Sequence, residues 1–320
     1  MLKKAVKKIL QLIVSLGFPI TIISSIWLKL VKKIGIGFVS NKILSFFGVF
    51  PVLDHYYEPL VNPKKHIRKP LRDNRDLVGL NFNDDEQLNL LSKFFYNDEL
   101  KKFPQEKEKE LEYYFNNPSY ASGDAEYLYN TIRHFKPEKI IEIGSGFSTL
   151  MAQNAIKKNL LEDKEYKCDH ICIEPYEIDW LEKLDVTLIR EKVEDVDKSL
   201  FLQLERNDIL FIDSSHVIRP QGDVLFEYLE VLPILNSGVL IHVHDIFSPK
   251  DYLDEWIYKD LRLWNEQYLL EAFLMFNSEF RVIGALNYLS HKYKEEFSDK
   301  CPIFAEQELR EPGAFWMIKN

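Results

Sequence analysis

Lys139-Ile-Ile-Glu-Ile-Gly-Ser-Gly-Phe-Ser-Thr149 decides the fold. An apolar run ends on the acid Glu142, a glycine-rich turn follows, and Phe147, Ser148 and Thr149 open a helix. A parallel α/β sheet uses these parts, in this order, to aim backbone N–H groups at an adenosine-containing ligand. Downstream, Leu210-Phe-Ile-Asp-Ser-Ser-His216 and Val239-Leu-Ile-His-Val-His-Asp245 are two more apolar runs that end in carboxylate and imidazole.

Around these runs, strand and helix periodicities alternate, which predicts a doubly wound, mostly parallel, seven-stranded sheet. Helix Asp124–Phe135 is followed by strand Lys139–Ile143, helix Ser148–Lys158 and strand His170–Ile173, which ends on Glu174. Strand Val186–Ile189, a helix near Lys198–Leu204 and strand Ile209–Ile212 come next. Helix Asp223–Leu235, strand Gly238–Val243 and a long helix Leu261–Phe276 precede two late runs, Phe280–Leu289 and Ala314–Ile318, read as a terminal antiparallel pair. These elements define a domain over residues 121–320.

Before it, residues 51–120 are polar and punctuated by proline, and read as an accessory helical lid. Asn83–Phe95 is an amphipathic helix there, with Asn83 as N-cap and Glu86 completing a capping box. Glu106–Phe115 is a second, charged helix.

Residues 1–50 are basic and apolar. The first 53 residues hold eight lysines and no acid, and since the 320-residue chain is at −9, the other 267 carry −17. An acidic body argues against nucleic acid as the main partner. Ile9–Leu28 is uncharged for 20 residues, enough helix to span about 30 Å. Its polar residues and Pro19, which kinks or breaks a helix, leave three readings: a membrane span, an interfacial helix on anionic lipid, and a helix hidden in a homo-oligomer. Cys168, Cys172 and Cys301 form no disulfide framework, which fits a reduced, cytoplasmic compartment, and Cys168 and Cys172 read as small core residues. That places the body in the cytoplasm, attached or not to the membrane's cytoplasmic face.

A dinucleotide fingerprint asks for a third glycine after Gly144 and Gly146; Ser148 and Thr149 stand there instead. Glu142 can accept from an ammonium group, which nicotinamide dinucleotides lack and S-adenosylmethionine has. Glu174, 32 residues on, is placed for ribose hydroxyls. Glu142-Ile-Gly-Ser-Gly146, Glu174, Asp213 and the closing strand pair resemble the class I S-adenosylmethionine-dependent methyltransferases. The resemblance implies that Glu142, Gly144, Ser145, Gly146, Ser148 and Thr149 frame the methionine part, Glu174 the ribose, and Glu194 and Asp195 the adenine.

Asp213-Ser-Ser-His216 and His242-Val-His-Asp245 lie at strand ends that face one crevice. This pattern is similar to the metal-dependent sugar O-methyltransferases of macrolide pathways. That likeness implies Asp213, His244 and Asp245 as ligands of Mg²⁺ and His216 as general base, with a sugar, another hydroxylated small molecule or a lipid-linked glycan as acceptor. His244 stands where those enzymes have glutamate, which also admits Mn²⁺, Fe²⁺ or Zn²⁺, or a metal-free site in which His216 acts alone. His242 reads as a satisfied packing residue, and Arg219 as a contact for an anionic acceptor or as solvated. The alternatives are a nicotinamide-dependent oxidoreductase, an iron oxygenase sharing the fold, and a non-catalytic membrane-tethered binding protein.

Overall fold

A computed structural model describes residues 2–307 and 309–320. It separates into two compact units, one ending at Pro70 and the other Leu71–Asn320.

In the second unit seven strands form one sheet: β1 Lys139–Ile143, β2 Asp169–Ile173, β3 Thr187–Ile189, β4 Ile209–Ile212, β5 Leu240–Val243, β6 Phe280–Ala285 and β7 Phe315–Lys319. Their order is β3-β2-β1-β4-β5-β7-β6. β1 to β5 pair in parallel, and β7 lies antiparallel between β5 and β6. Central strands of such a sheet are covered on both faces and so are apolar throughout; β4 and β5 are buried at every position. The strand order reverses between β1 and β4, which opens a crevice at their carboxyl ends.

Helices cover both faces. Asp124–Phe135 and Phe147–Glu162 pack over Ile140, Ile209 and Phe211, together with Leu90, Leu91, Phe94, Leu100, Tyr113 and Phe115. Those last six side chains come from the region expected to be accessory, and they pack into the sheet's core.

The expected helix Glu106–Phe115 is absent. Phe115 and Asn116 instead donate their backbone N–H groups to Pro104 and Gln105. Tyr113 and Phe115, two residues apart, are both fully buried, a spacing that suits extended chain rather than helix. The amphipathic helix is shorter than expected, Asp84–Ser92, and Asn83 does not cap it with its side chain. Asn83 adopts φ +52, which asparagine tolerates, and donates its N–H to Asn81 Oδ1 at 3.0 Å.

Two late predictions also change. The long helix before β6 is Glu266–Leu274, preceded by a separate turn of helix at Trp256–Asp260 that stops at Leu261 with φ +55. The run Phe280–Leu289 is strand only to Ala285, where the helix Leu286–Lys292 begins. β6 and β7 are therefore an antiparallel pair joined by helices, not a tight hairpin.

In the first unit, the apolar run forms two helices, Leu2–Leu16 and Phe18–Ile34, bent by 61°. The break falls at Gly17, and Pro19 sits in the opening turn of the second helix, where its missing N–H costs nothing. A third helix, Phe38–Phe46, follows. Among the described residues no single helix is long and apolar enough to cross a membrane.

Candidate active site

The turn after β1 is built around contact with the loop after β4. Gly144 adopts φ +78, and a Cβ there would lie 1.9 Å from the carbonyl oxygen of Asp213. Glycine is required on both counts. Ser145 N–H donates to Glu174 Oε2 (3.2 Å) and Gly146 N–H to Thr149 Oγ1 (3.0 Å). Ser145 Oγ is buried without a partner among the described residues.

Gly144, Glu174 and Glu194 line one cleft together with Tyr176, Asp213 and Arg219. Glu174 also accepts from the Tyr176 N–H at 2.9 Å. Asp195 lies in an adjacent depression with Gln221 and Gly222. Arg219 is half exposed and 3.5 Å from Asp223.

Glu142 is not a free acid facing this cleft. It is 1% exposed, and accepts from Ser148 Oγ at 2.6 Å, while its other oxygen lies 2.9 Å from His170 Nε2. Gln153 meets the far nitrogen of that ring at 3.0 Å. Glu142 and Ser148 therefore brace the start of the helix from within.

Beside the cleft the ends of β4 and β5 bring Asp213, His216, His244 and Asp245 together. His216 Nε2 is 3.2 Å from Asp213 Oδ1 and 3.5 Å from Asp245 Oδ2. Its Nδ1 lies 2.8 Å from Glu266 Oε2, and Trp264 packs on its ring at 4.5 Å between centroids. Ligand atoms of Asp213, His216 and Asp245 all lie within 4.8 Å of one another. His244 approaches both carboxylates from the buried side, with Nδ1 3.5 Å from Asp213 and 3.6 Å from Asp245, and Nε2 3.9 Å from Asp124. His216 and Asp245 both have left-handed backbone, φ +59 and +57, a strain that clusters at functional sites.

The electrostatics divide the two acids. Burial opposes ionisation of Asp213, but the charge of His244 and hydrogen bonds from His216 and His244 overcome it and hold the carboxyl well below its usual range. At Asp245 burial prevails over His244 and His216, and the charges of Asp213 and Asp124 push the same way, so its pKa is raised. Both imidazoles are pushed well above their ordinary value. Burial opposes this, but Asp213, Glu266 and Asp245 favour the cation at His216, and Asp245, Asp213 and Asp124 do so at His244.

Sequence reading missed three supporting acids. Glu266 is fully buried behind His216. Asp223 holds the loop after β4 by accepting from Ser215 N–H and Oγ at 2.9 and 2.8 Å. Glu227 accepts from Ser214 Oγ at 3.1 Å; burial, then the charges of Glu266 and Asp223, push its pKa well up.

His242 corrects an expectation. It packs as foreseen, stacked on Phe211 at 4.0 Å, but neither ring nitrogen has a partner among the described residues. Burial, and then the charge of His244, push its pKa well below the ordinary value, so it stays neutral.

Residues 141–246 match the family described as "Methyltransferase domain". An uncharacterized protein of Archaeoglobus fulgidus is 34% identical over 173 residues, which cover 50% of this chain and 76% of the relative. The solved structure of the plantazolicin methyltransferase BpumL in complex with SAH is 15% identical, with a TM-score of 0.33 over 62% of this chain and 82% of that one. The matched segment runs from β1 through the end of β5 and so contains both halves of the site. The chain belongs to the family of the archaeal relative, and its residues 141–246 match a methyltransferase domain.

Proposed function

We propose that the protein transfers a methyl group from S-adenosylmethionine to a hydroxyl of a sugar, of another hydroxylated small molecule, or of a lipid-linked glycan. The observation that carries this reading is His216, backed by Glu266 on Nδ1 and aimed by Nε2 at the Asp213 and Asp245 carboxylates. Bound beside it, the sulfonium supplies an electrophilic methyl for in-line displacement.

The residues fit that donor. Ser145 Oγ is a buried polar atom in want of a partner. Glu174 has lone pairs left for ribose hydroxyls beyond the two N–H groups it accepts. Glu194 lines the cleft at the adenine end. Acids outnumber bases around the cleft, and an excess of buried carboxylate favours a cationic ligand.

The chain's own work is to position and deprotonate. A hydroxyl is a poor nucleophile at neutral pH, so a base within reach of its proton is needed. His216 takes that proton at Nε2, and Glu266 fixes the ring and stabilises the imidazolium that results. Asp213, ionised at all ordinary pH values, orients the hydroxyl.

The same residues fit a divalent cation. Asp213 and Asp245 would hold it with His244 as third donor, and it would lower the pKa of the acceptor hydroxyl. A specific observation favours a second ligand set. His216 is nearer than His244 to Asp213, and its Nδ1 carboxylate partner is the arrangement that orients metal-bound histidines.

Calorimetric titration with S-adenosylhomocysteine and with a nicotinamide dinucleotide tests the donor. Binding of the nucleotide alone rules out the methyl-transfer reading in favour of an oxidoreductase. For the acceptor, methyl-labelled S-adenosylmethionine is incubated with hydroxylated metabolites, with and without Mg²⁺ or Mn²⁺. Label in product that disappears with His216→Ala supports the reading. Label that persists undiminished in Asp213→Asn and His216→Ala removes both residues from the chemistry.

A further inference from the structure

The N-terminal unit has two faces that the methyl-transfer site does not use. In helix Leu2–Leu16, Lys7, Gln11 and Ser15 recur every fourth residue with Lys8 alongside, while Val6, Ile9, Ile13 and Leu16 fall on the opposite face. In helix Phe18–Ile34 the pattern repeats. Thr21, Ser25 and Lys29 share one face with Lys32 and Lys33, and Ile20, Ile23, Trp27 and Ile34 share the other. Neither Phe18–Ile34 nor Phe38–Phe46 has a buried residue. Ile13 is 58% exposed and Trp27 59%.

A helix with a wide apolar face and a lysine-rich polar face lies in the plane of a membrane surface. From this we infer that the N-terminal unit docks flat on a bilayer rich in anionic lipid, with both helices in the interface and neither crossing it. Charge complementarity selects the partner. The first 53 residues hold eight lysines and no acid; among the described residues Lys32 pairs with Glu58 at 3.1 Å, and the excess of positive charge suits phosphate headgroups.

The 61° bend at Gly17 argues for lying over spanning. Each arm alone, of 15 and 17 residues, reaches only about 22–26 Å at the helical rise, short of the bilayer core. Lysines within both arms would also have to enter hydrocarbon. A second copy of the chain is a poorer occupant, because pairing two such faces brings like-charged lysine rims together.

The experiment uses the full-length protein and cosedimentation with vesicles of phosphatidylcholine, alone or mixed with phosphatidylglycerol. The expected result is pelleting with the mixed vesicles only, weakened by salt. Reversing four lysines (Lys7→Glu, Lys8→Glu, Lys29→Glu, Lys33→Glu) lowers partitioning by at least roughly tenfold, because each basic residue near such a surface contributes about fivefold. Ile9→Asp with Ile13→Asp abolishes it at any salt, while the melting transition of the catalytic unit stays in place and serves as the folding control. Three results overturn the inference: no pelleting with mixed vesicles, equal pelleting with neutral ones, or retention in cell membranes after an alkaline carbonate wash, which marks a true span. A dimer that dissociates in the Ile9/Ile13 variant without ever binding vesicles assigns the face to a second copy instead.

Discussion

Glu266 Oε2 lies 2.8 Å from His216 Nδ1, joining the helix that precedes β6 to the loop after β4. In the proposed mechanism this pair sets the pH at which His216 can act as a base. Burial would lower the imidazole pKa, but Asp213, Glu266 and Asp245 raise it well above the ordinary histidine value. A base must be neutral to act, so activity is lost as pH falls through that raised pKa and recovers above it. The rate–pH profile of kcat/KM is expected to show its acid limb above 6.5, the unperturbed histidine value. Glu266→Gln moves the limb to lower pH, because one carboxylate favouring the imidazolium is gone. An unmoved limb would show that Glu266 does not act through His216.

Removing the base outright has a larger effect. His216→Ala is expected to lower kcat by about 10²–10⁴-fold, the usual share of general acid–base catalysis. Affinity for S-adenosylhomocysteine, measured by calorimetry, should change little, since the residue lies beside the cleft and not among the side chains that line it.

Gly144→Ala attacks the other end. The added methyl would sit 1.9 Å from the Asp213 carbonyl oxygen on a residue with φ +78, so backbone must move. Backbone strain of this kind costs about 1–3 kcal/mol. Thermal melting is expected to fall accordingly, and S-adenosylhomocysteine binding to be lost together with activity.

Away from the site, Glu126 is 0% exposed and accepts from the N–H groups of Gly123, Ile303 and Phe304. Burial outweighs those bonds and raises its pKa from 4.5 to about 7. A carboxyl with a raised folded pKa binds its proton more tightly when folded. Its stabilising contribution is full below 4.5 and is lost as pH rises through about 7. Two and a half pH units correspond to about 3 kcal/mol. Urea unfolding of the wild type and of Glu126→Gln is expected to converge at low pH, where both side chains are neutral, and to diverge as pH rises through about 7, where only the wild type must bury a charge.

Arg133, 1% exposed, bridges the helices on either side of β1 through Glu99 (3.1 Å), Glu162 and Asn159. Arg133→Met leaves Asn159 Oδ1 without its donor and Glu99 with the Tyr129 hydroxyl. A buried acceptor left without its hydrogen bond costs about 1–3 kcal/mol, which the urea midpoint would report without a change in the nature of the site.

β1 and β4 were legible to the residue, because a fully buried parallel strand writes itself as an unbroken apolar run bounded by polar residues. Asp213, His216, His244 and Asp245 were legible because they interrupt such runs at the carboxyl end. Glu266 was not. It lies 50 residues from His216 in sequence, within a helix whose acid looks like any solvated first-turn carboxylate. Glu142 was identified as important, but its direction was misjudged. Nothing local shows that His170 and Ser148 would claim both its oxygens. The segment around Tyr113 was misjudged because its charges suit a helix and its two aromatics are captured by a core formed much later in the chain.

The contact between Gly144 and the Asp213 carbonyl means that, in the proposed mechanism, the donor loop and the acceptor acid share one backbone seam. A ligand that settles the glycine turn therefore also presses on the residue that orients the acceptor. Whatever Asp213 binds must press back on the turn with equal thermodynamic weight. Donor and acceptor should then enter as cooperating partners, each raising the affinity of the other by the same factor, rather than as independent occupants of neighbouring pockets.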